Sequence, residues 1–298
     1  MKYELNERYL SIEIESLYES TIQEFFDDFV PSKKIQHLLI QNKWINMDGN
    51  PVKRETDIVG LKLNINLYPE DHEYKVIENH ELSVVYEDEF LVVVNKPKGL
   101  LVHSDGEEET TLTDIVESYY ADKPYICPQP LHRLDRETCG MVVYSKSIIF
   151  QPLFDKLLSE KQIRRNYLAF VSGTMYEDES LVINKAIGKD RHNANKRVIY
   201  KDGQPALTKV RSLGTRKGIS ILRCTLDTGR THQIRVHLAS EKLPILNDDL
   251  YGVESDKLRR MGLIASELDI YHPFRYEEIH LECDLPRDME ELTERILG

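Results

Sequence analysis

His132-Arg133-Leu134-Asp135-Arg136-Glu137-Thr138-Cys139-Gly140 runs directly into Met141-Val142-Val143-Tyr144. Five charged or titratable side chains fall within six positions, and an unbroken apolar segment follows. Pro128 and Pro130 precede the run, which biases its start toward extended loop. The apolar tetrapeptide is short and rich in β-formers, so it reads as a buried strand. A polar loop anchored to a buried strand can act on a ligand. The same composition also suits a solvated loop laced by salt bridges, and composition alone leaves both readings open.

Working outward, Leu91-Val92-Val93-Val94 is a second buried strand, and Asn95-Lys96-Pro97-Lys98-Gly99 is a turn. Leu112, Ile115, Val116 and Tyr119 form one helical stripe, and Phe150 to Glu160 is a further helix. Tyr167 to Val171, Thr208 to Leu213 and Ile219 to Leu226 read as strands. This implies an α+β fold: a mixed, largely antiparallel sheet flanked by helices. A second polar run, Thr228-Gly229-Arg230-Thr231-His232-Gln233-Ile234-Arg235-Val236-His237-Leu238, follows the last of these strands. Thr231 is placed to cap a helix on which Ile234, His237 and Leu238 share a face. Arg230 then stands before the helix start, where the dipole disfavours a cation, so a carboxylate partner is expected for it. Gln233 and His237 also fit as simply packed polar residues.

Residues 81–90 read as a linker, which divides the chain into residues 1–80 and 81–298. In the first part, Thr21 to Phe29 is a short helix with Glu24 three residues after its cap. Ser32 caps a second helix through Asn42. Trp44-Ile45-Asn46, the turn Asp48-Gly49-Asn50 and Pro51-Val52-Lys53 form a hairpin. Leu61, Leu63, Ile65 and Leu67 alternate with polar residues as a half-buried strand. This order, with Lys33, Lys34, Lys43, Lys53 and Arg54, resembles the RNA-binding domain named after ribosomal small-subunit protein four. The unit is acidic overall, with 9 Lys and Arg against 15 Asp and Glu over residues 1–80. Contact with RNA there would be local.

The whole chain of 298 residues carries a formal charge of −12. That counts against nucleic acid as a partner unless basic residues gather on one face. They do cluster in the sequence, at Lys161, Arg164, Arg165, Lys185, Lys189, Arg191, Lys196 and Arg197. No apolar stretch approaches the roughly 20 residues of a membrane helix, and Met1 to Leu10 lacks the apolar core of a signal peptide. The four cysteines form no C-x-x-C pair, which suggests neither zinc nor a disulfide framework and fits a reducing cytoplasm. Dinucleotide fingerprints and phosphate loops are absent. The expectations are therefore no cofactor, no metal and no membrane partner; no motif fixes the oligomeric state, for which a monomer is the simplest expectation.

His132 to Gly140 is similar to the family motif of RluA-type pseudouridine synthases. So are Val94-Asn95-Lys96-Pro97-Lys98-Gly99-Leu100-Leu101-Val102-His103 and Arg165-Asn166-Tyr167-Leu168-Ala169-Phe170-Val171-Ser172-Gly173. Thr228 to Leu238, Asp249-Leu250-Tyr251-Gly252, Ala265-Ser266-Glu267-Leu268 and His272-Pro273-Phe274 continue the match in order. The resemblance implies isomerisation of uridine to pseudouridine in RNA, most naturally ribosomal RNA. It implies Asp135 as the essential carboxylate, Arg230 as its partner and Tyr167 as the aromatic residue under the target base. Arg133 would fill the space of the flipped base, and Arg136, Arg164, Arg165, Lys33 and Lys34 would contact RNA. The isomerisation needs an ionised carboxylate, and a nearby cation favours that form. Two departures stand out: Cys139 where serine is usual, and Asn247 where glycine is common. A binding factor without catalysis would lack Asp135 or Tyr167. A glycoside-type hydrolase would need a second carboxylate across the bond, and none stands out.

Overall fold

The computed structural model describes residues 2–6, 8–13, 21–57, 62–67, 70–78, 80–104, 106 and 109–298. Leu61, expected as the first apolar position of its strand, lies outside them. The first unit holds strands β1 (Lys2–Asn6) and β2 (Tyr9–Glu13), helices α1 (Ile22–Phe29) and α2 (Lys33–Gln41), and strands β3 (Ile45–Met47), β4 (Asn50–Pro51) and β5 (Lys62–Asn66). Its strands pair in the order β1-β2-β5-β3-β4. Strand alternation sends Leu10, Ile12, Leu63 and Ile65 to one face, where they are fully buried with Phe25, Phe26 and Leu39 of the two helices. The expected helix starts hold. The Thr21 amide donates to Glu24 Oε2 at 2.9 Å, and Ser32 is the N-cap of α2.

The second unit continues with β6 (Val84–Glu87), β7 (Leu91–Lys96), α3 (Leu112–Tyr119), β8 (Gln129–Pro130), β9 (Cys139–Ser145), α4 (Gln151–Ser159) and β10 (Ile163–Ser172). After it come β11 (Ser180–Asn184), β12 (Ile187–Lys189), β13 (Arg197–Ile199), β14 (Leu207–Arg216), β15 (Ile219–Leu226) and α5 (Gln233–Ser240). The chain ends with β16 (Leu263–His272), β17 (Glu277–Glu282) and α6 (Arg287–Leu297). The large sheet runs β11-β14-β15-β10-β16-β9-β7-β6, with β17 on β16 and β8 on β9. It is mixed and largely antiparallel, as expected. Residues 81–90 are not a linker, because β6 within them pairs with β7.

The parallel contact in this sheet positions the site. Cys139 and Gly140 at the start of β9 lie beside Ile264 and Ala265 of β16. Gly140 has φ +112°, and a Cβ there would stand 2.3 Å from the Ala265 carbonyl oxygen. Only glycine fits both the backbone angle and that approach. The polar loop therefore ends where β9 meets β16, in the middle of the sheet.

The two units share one apolar core. Phe274, in the turn after β16, has no exposed surface. Its ring stacks on Phe90 at 4.0 Å and on Phe29 of α1 at 5.4 Å, and meets Phe150 edge-on at 4.8 Å. Tyr3 of β1 packs edge-on against Phe90. A polar knot lies alongside. Arg275 donates to the Tyr3 hydroxyl at 3.2 Å, to the Tyr86 hydroxyl at 3.2 Å and to Glu89 at 2.8 Å. Asp88 accepts from the Phe90 and Leu91 amides and from the Tyr86 hydroxyl, with His272 Nε2 at 3.0 Å. The Arg275 amide donates to His272 Nδ1, so the ring proton sits on Nε2, facing Asp88. Burial alone would raise the Asp88 carboxyl. The hydrogen bonds from His272, Tyr86 and the two amides outweigh it and hold the group at about 2.

Phe274→Ala should cost about 3–5 kcal/mol in urea unfolding of the full chain. Removing residues 1–75, which strips Tyr3 and Phe29 from this nucleus, should leave a chain that aggregates rather than a folded catalytic unit. Asp88 contributes stability that is complete above its unfolded value near 3.8 and disappears as pH falls through about 2. The stability difference between wild type and Asp88→Asn should thus be largest above pH ~4, roughly 2 kcal/mol, and shrink toward pH ~2.

Candidate active site

A cleft of about 950 Å³ opens beside the end of β9. The loop 131–138 forms one wall, residues 226–235 another, and Arg165 and Tyr167 of β10 the floor. Ala194, Asn195 and Arg197, in and beside the β12–β13 hairpin, complete the lining. The loop is fixed from beneath by Lys96, which is fully buried at the end of β7. Its Nζ donates to the carbonyls of Pro97 at 2.9 Å, Leu100 at 2.7 Å and Arg136 at 3.0 Å. Three donors meet three acceptors. The Gly99 amide adds a bond to the same Arg136 carbonyl at 2.8 Å. Burial pushes the Lys96 ammonium down to about 8. The expected turn at Asn95–Gly99 is thus a clasp on the polar loop, although β7 itself runs on through Lys96.

Asp135 heads the tight turn that leads into β9, with its carbonyl accepting from the Thr138 amide at 3.1 Å. Its carboxylate is 25% exposed, toward the cleft. Arg235 Nη1 donates to its Oδ2 at 3.0 Å. The remaining edge of the same guanidinium grips Asp248, Nε to Oδ2 at 2.8 Å and Nη2 to Oδ1 at 2.7 Å. This is the planar two-point geometry that favours arginine over lysine. Asp248 also accepts from the Leu250 and Tyr251 amides, at 2.9 and 3.2 Å. Burial pushes the Asp248 carboxyl up, but the bonds from Arg235 prevail and its value is lowered. Burial disfavours the charged Arg235 as well, yet Asp248 and then Asp135 raise its value above that of a free guanidinium. The Tyr251 ring centroid lies 5.2 Å from the guanidinium carbon.

This corrects the pairing expected for Arg230. The Arg230 guanidinium donates to the Pro205 carbonyl at 3.1 Å, and its amide to Gln233 Oε1 at 3.0 Å. It lines the cleft but does not hold Asp135. The reason is the helix start. Thr231 is not the cap. His232 occupies the N-cap position with left-handed backbone angles, φ 58° and ψ 21°, and turns the chain inward. Every residue from Gln233 to Leu238 is then buried, so Arg235 points at the core instead of at solvent. The missed signal was an arginine between Ile234 and Val236: a charge set in an apolar helix needs a buried carboxylate.

The other expected residues divide. Tyr167 is almost fully buried, and burial raises its phenol, so it stays protonated and neutral. Arg133 stands at the rim, 3.2 Å from His103 Nε2, and Arg136 pairs with Glu109 at 2.7 Å. Arg165 lies in the floor with Tyr167. Arg164 faces away, 3.8 Å from Asp269 and 4.0 Å from Glu278. Strand alternation along β10 forces that split. Lys33 and Lys34 are exposed on α2 outside the cleft lining, with Lys33 4.0 Å from Asp27. Part of the basic cluster is paired at home: Lys161 with Asp227 and Lys185 with Glu241. His132 is held by the Val143 amide at 3.3 Å, and burial drives its imidazole well below the usual range, so it is neutral. Gln233 and His237 are packed polar residues, bonded to Leu207, Thr208 and Lys185. Asn247 has φ 56°, the region glycine favours and asparagine tolerates.

Against this geometry, a family model described as RNA pseudouridylate synthase matches residues 90–240. An uncharacterized RNA pseudouridine synthase of Bacillus subtilis (strain 168), YhcT, is 34% identical over 237 residues, covering 78% of this chain and 78% of that one. Ribosomal large subunit pseudouridine synthase D of Escherichia coli (strain K12) is 29% identical over 295 residues, 93% of this chain and 89% of that one. The solved structure of human RNA pseudouridylate synthase domain containing 4 superposes with a TM-score of 0.57 at 24% identity, over 72% of this chain and 92% of that one. The chain belongs to the RNA pseudouridine synthase family. Its activity is the isomerisation of uridine in an RNA substrate.

Arg235→Met should destabilise the fold by roughly 3–5 kcal/mol, because Asp248 is left charged and buried. Arg230→Ala should fold normally and keep turnover within roughly tenfold of wild type. Thermal melts and single-turnover assays on the two variants check the reassignment.

Proposed function

We propose that Asp135 is the reacting carboxylate, that Tyr167 lies under the target base, and that the substrate is ribosomal RNA. One observation carries this reading. Arg235 occupies a single oxygen of Asp135, while the carboxylate stays open to a cleft floored by a neutral phenol. The reaction breaks the bond between the ribose carbon and ring nitrogen one, then joins that carbon to ring carbon five. The proton on carbon five leaves and nitrogen one gains one, so no redox partner is required. Attack on the sugar, addition to the ring and abstraction of a sugar proton all start from the same ionised oxygen.

A stacked uridine must first leave the helix, at a cost of a few kcal/mol. Arg133 at the rim suits the vacated space, since a flat guanidinium stacks on bases. Arg165 and Arg197, both lining the cleft, suit the flanking phosphates. Arg136 and Arg230 take secondary places on the same walls, and Arg164 contacts RNA only if it leaves Asp269 and Glu278. The first unit, with Lys33, Lys34, Lys43, Lys53 and Arg54 exposed, adds an RNA-binding surface outside the cleft. The ribosomal target is supported by the Escherichia coli relative, which aligns over nearly the whole chain. Four free thiols favour the cytoplasm, and a monomer supplies the whole site from one chain.

The test uses RNA labelled with tritium at carbon five of uridine, taken from cells lacking the modification. Wild type should release tritium to water, and Asp135→Asn should release none above background. Equal release by both would remove Asp135 from the chemistry.

A further inference from the structure

His232 has no part in the chemistry described above, yet its backbone is left-handed and its ring is hydrogen-bonded on one side and faces Asp135 on the other. Left-handed angles are uncommon for residues other than glycine, histidine being one of the side chains that adopts them more readily, and they persist where the surroundings fix them. What fixes them here is Tyr251. Its hydroxyl oxygen accepts the Arg197 amide of β13 at 2.6 Å. Its own proton is therefore free for His232 Nδ1, 2.9 Å away. Burial raises the Tyr251 phenol, which keeps that proton in place. An imidazole that accepts at Nδ1 carries its proton on Nε2. Burial, with Arg235 and Arg197 nearby, lowers the His232 value despite the opposing pull of Asp135 and Asp248, so the ring is neutral. Its Nε2 lies 3.9 Å from Asp135 Oδ2, the oxygen that Arg235 already holds.

We infer that His232 is a positioning residue for Asp135: its Nε2–H closes onto Oδ2 when RNA fills the cleft. This rests on the reading of Asp135 as the reacting carboxylate. Catalytic hydrogen bonds often reach full strength only in the substrate complex. Two donors then tie Oδ2, and Oδ1 is the oxygen presented to the nucleotide. The chain of contacts also runs outward through Tyr251 to the hairpin that helps line the cleft. RNA pressing on that hairpin would therefore bear on the carboxylate.

The experiment compares His232→Asn, His232→Gln and Tyr251→Phe in single-turnover assays, with melting temperatures and KM for RNA. Asparagine tolerates the left-handed angles and reaches Tyr251 but stops short of Asp135. Its turnover should fall roughly a hundredfold, with an unchanged melting temperature and KM within about twofold. Glutamine extends an amide to the Nε2 position and should recover most of the rate. Tyr251→Phe, which frees the ring tautomer, should slow turnover without weakening RNA binding. Wild-type turnover in His232→Asn would overturn the inference. So would equal rate losses in the Asn and Gln variants that track a lowered melting temperature. Asp135→Asn is measured alongside. If it is active, the underlying reading fails; if it is inactive while His232→Asn is fully active, only the role of His232 fails.

Discussion

One guanidinium joins the pieces of this site. Arg235 ties Asp135 at the head of the β9 loop to Asp248 in the turn before Tyr251, and it does so from inside a buried helix. Neither Arg235 nor Asp248 would be tolerated there alone, because a buried ion without a partner is strongly disfavoured. Their mutual dependence fixes the distance between the sheet and α5. It also orients the carboxylate without surrounding it. Gly140 and Lys96 serve the same end from the other side, one by admitting β16 and the other by clasping the loop. The rigidity of the site comes from these anchors rather than from the loop itself.

Much of the fold was legible because its central strands are so apolar. The Leu91 and Met141 segments are buried on both faces of the sheet, and continuous apolar runs signal that directly. The helix caps at Thr21 and Ser32 were equally plain. Edge elements were not. Strand β17, Glu-Glu-Ile-His-Leu-Glu, alternates but is largely charged, and it exists because β16 offers a partner. Strand β6 hid in a segment that looked like a linker, since only its pairing with β7 makes it a strand. At the site, Asp135 and Tyr167 were found through family motifs. The partner of Asp135 was expected at Arg230, on the family resemblance and on its place before the helix start, whereas the left-handed turn at His232 brings Arg235 to the carboxylate instead. A left-handed residue at the helix start cannot be read from side-chain type when that residue is histidine.

The acidic balance of the chain and an RNA substrate are compatible because charge is distributed unevenly. Arginines gather on the cleft walls, while carboxylates near β16 and β17 are paired with Arg164 and His280 on another face. The aromatic nucleus around Phe274 adds a mechanical side to this arrangement. It makes the first unit a fixed extension of the catalytic body, so a surface carried by α2 keeps a set distance from the cleft.

The β9–β16 junction has a bearing on biosynthesis. Asp135 and Arg235 stand 100 residues apart in sequence, and the strand that seats Gly140 comes later still. A ribosome delivers the loop long before it delivers the partner that gives the loop its shape. Contacts of such long range form late and cooperatively. A chain that stops short of β16 thus holds the polar loop but no assembled centre. The site takes its shape only once α5 and β16 have followed the loop out of the ribosome.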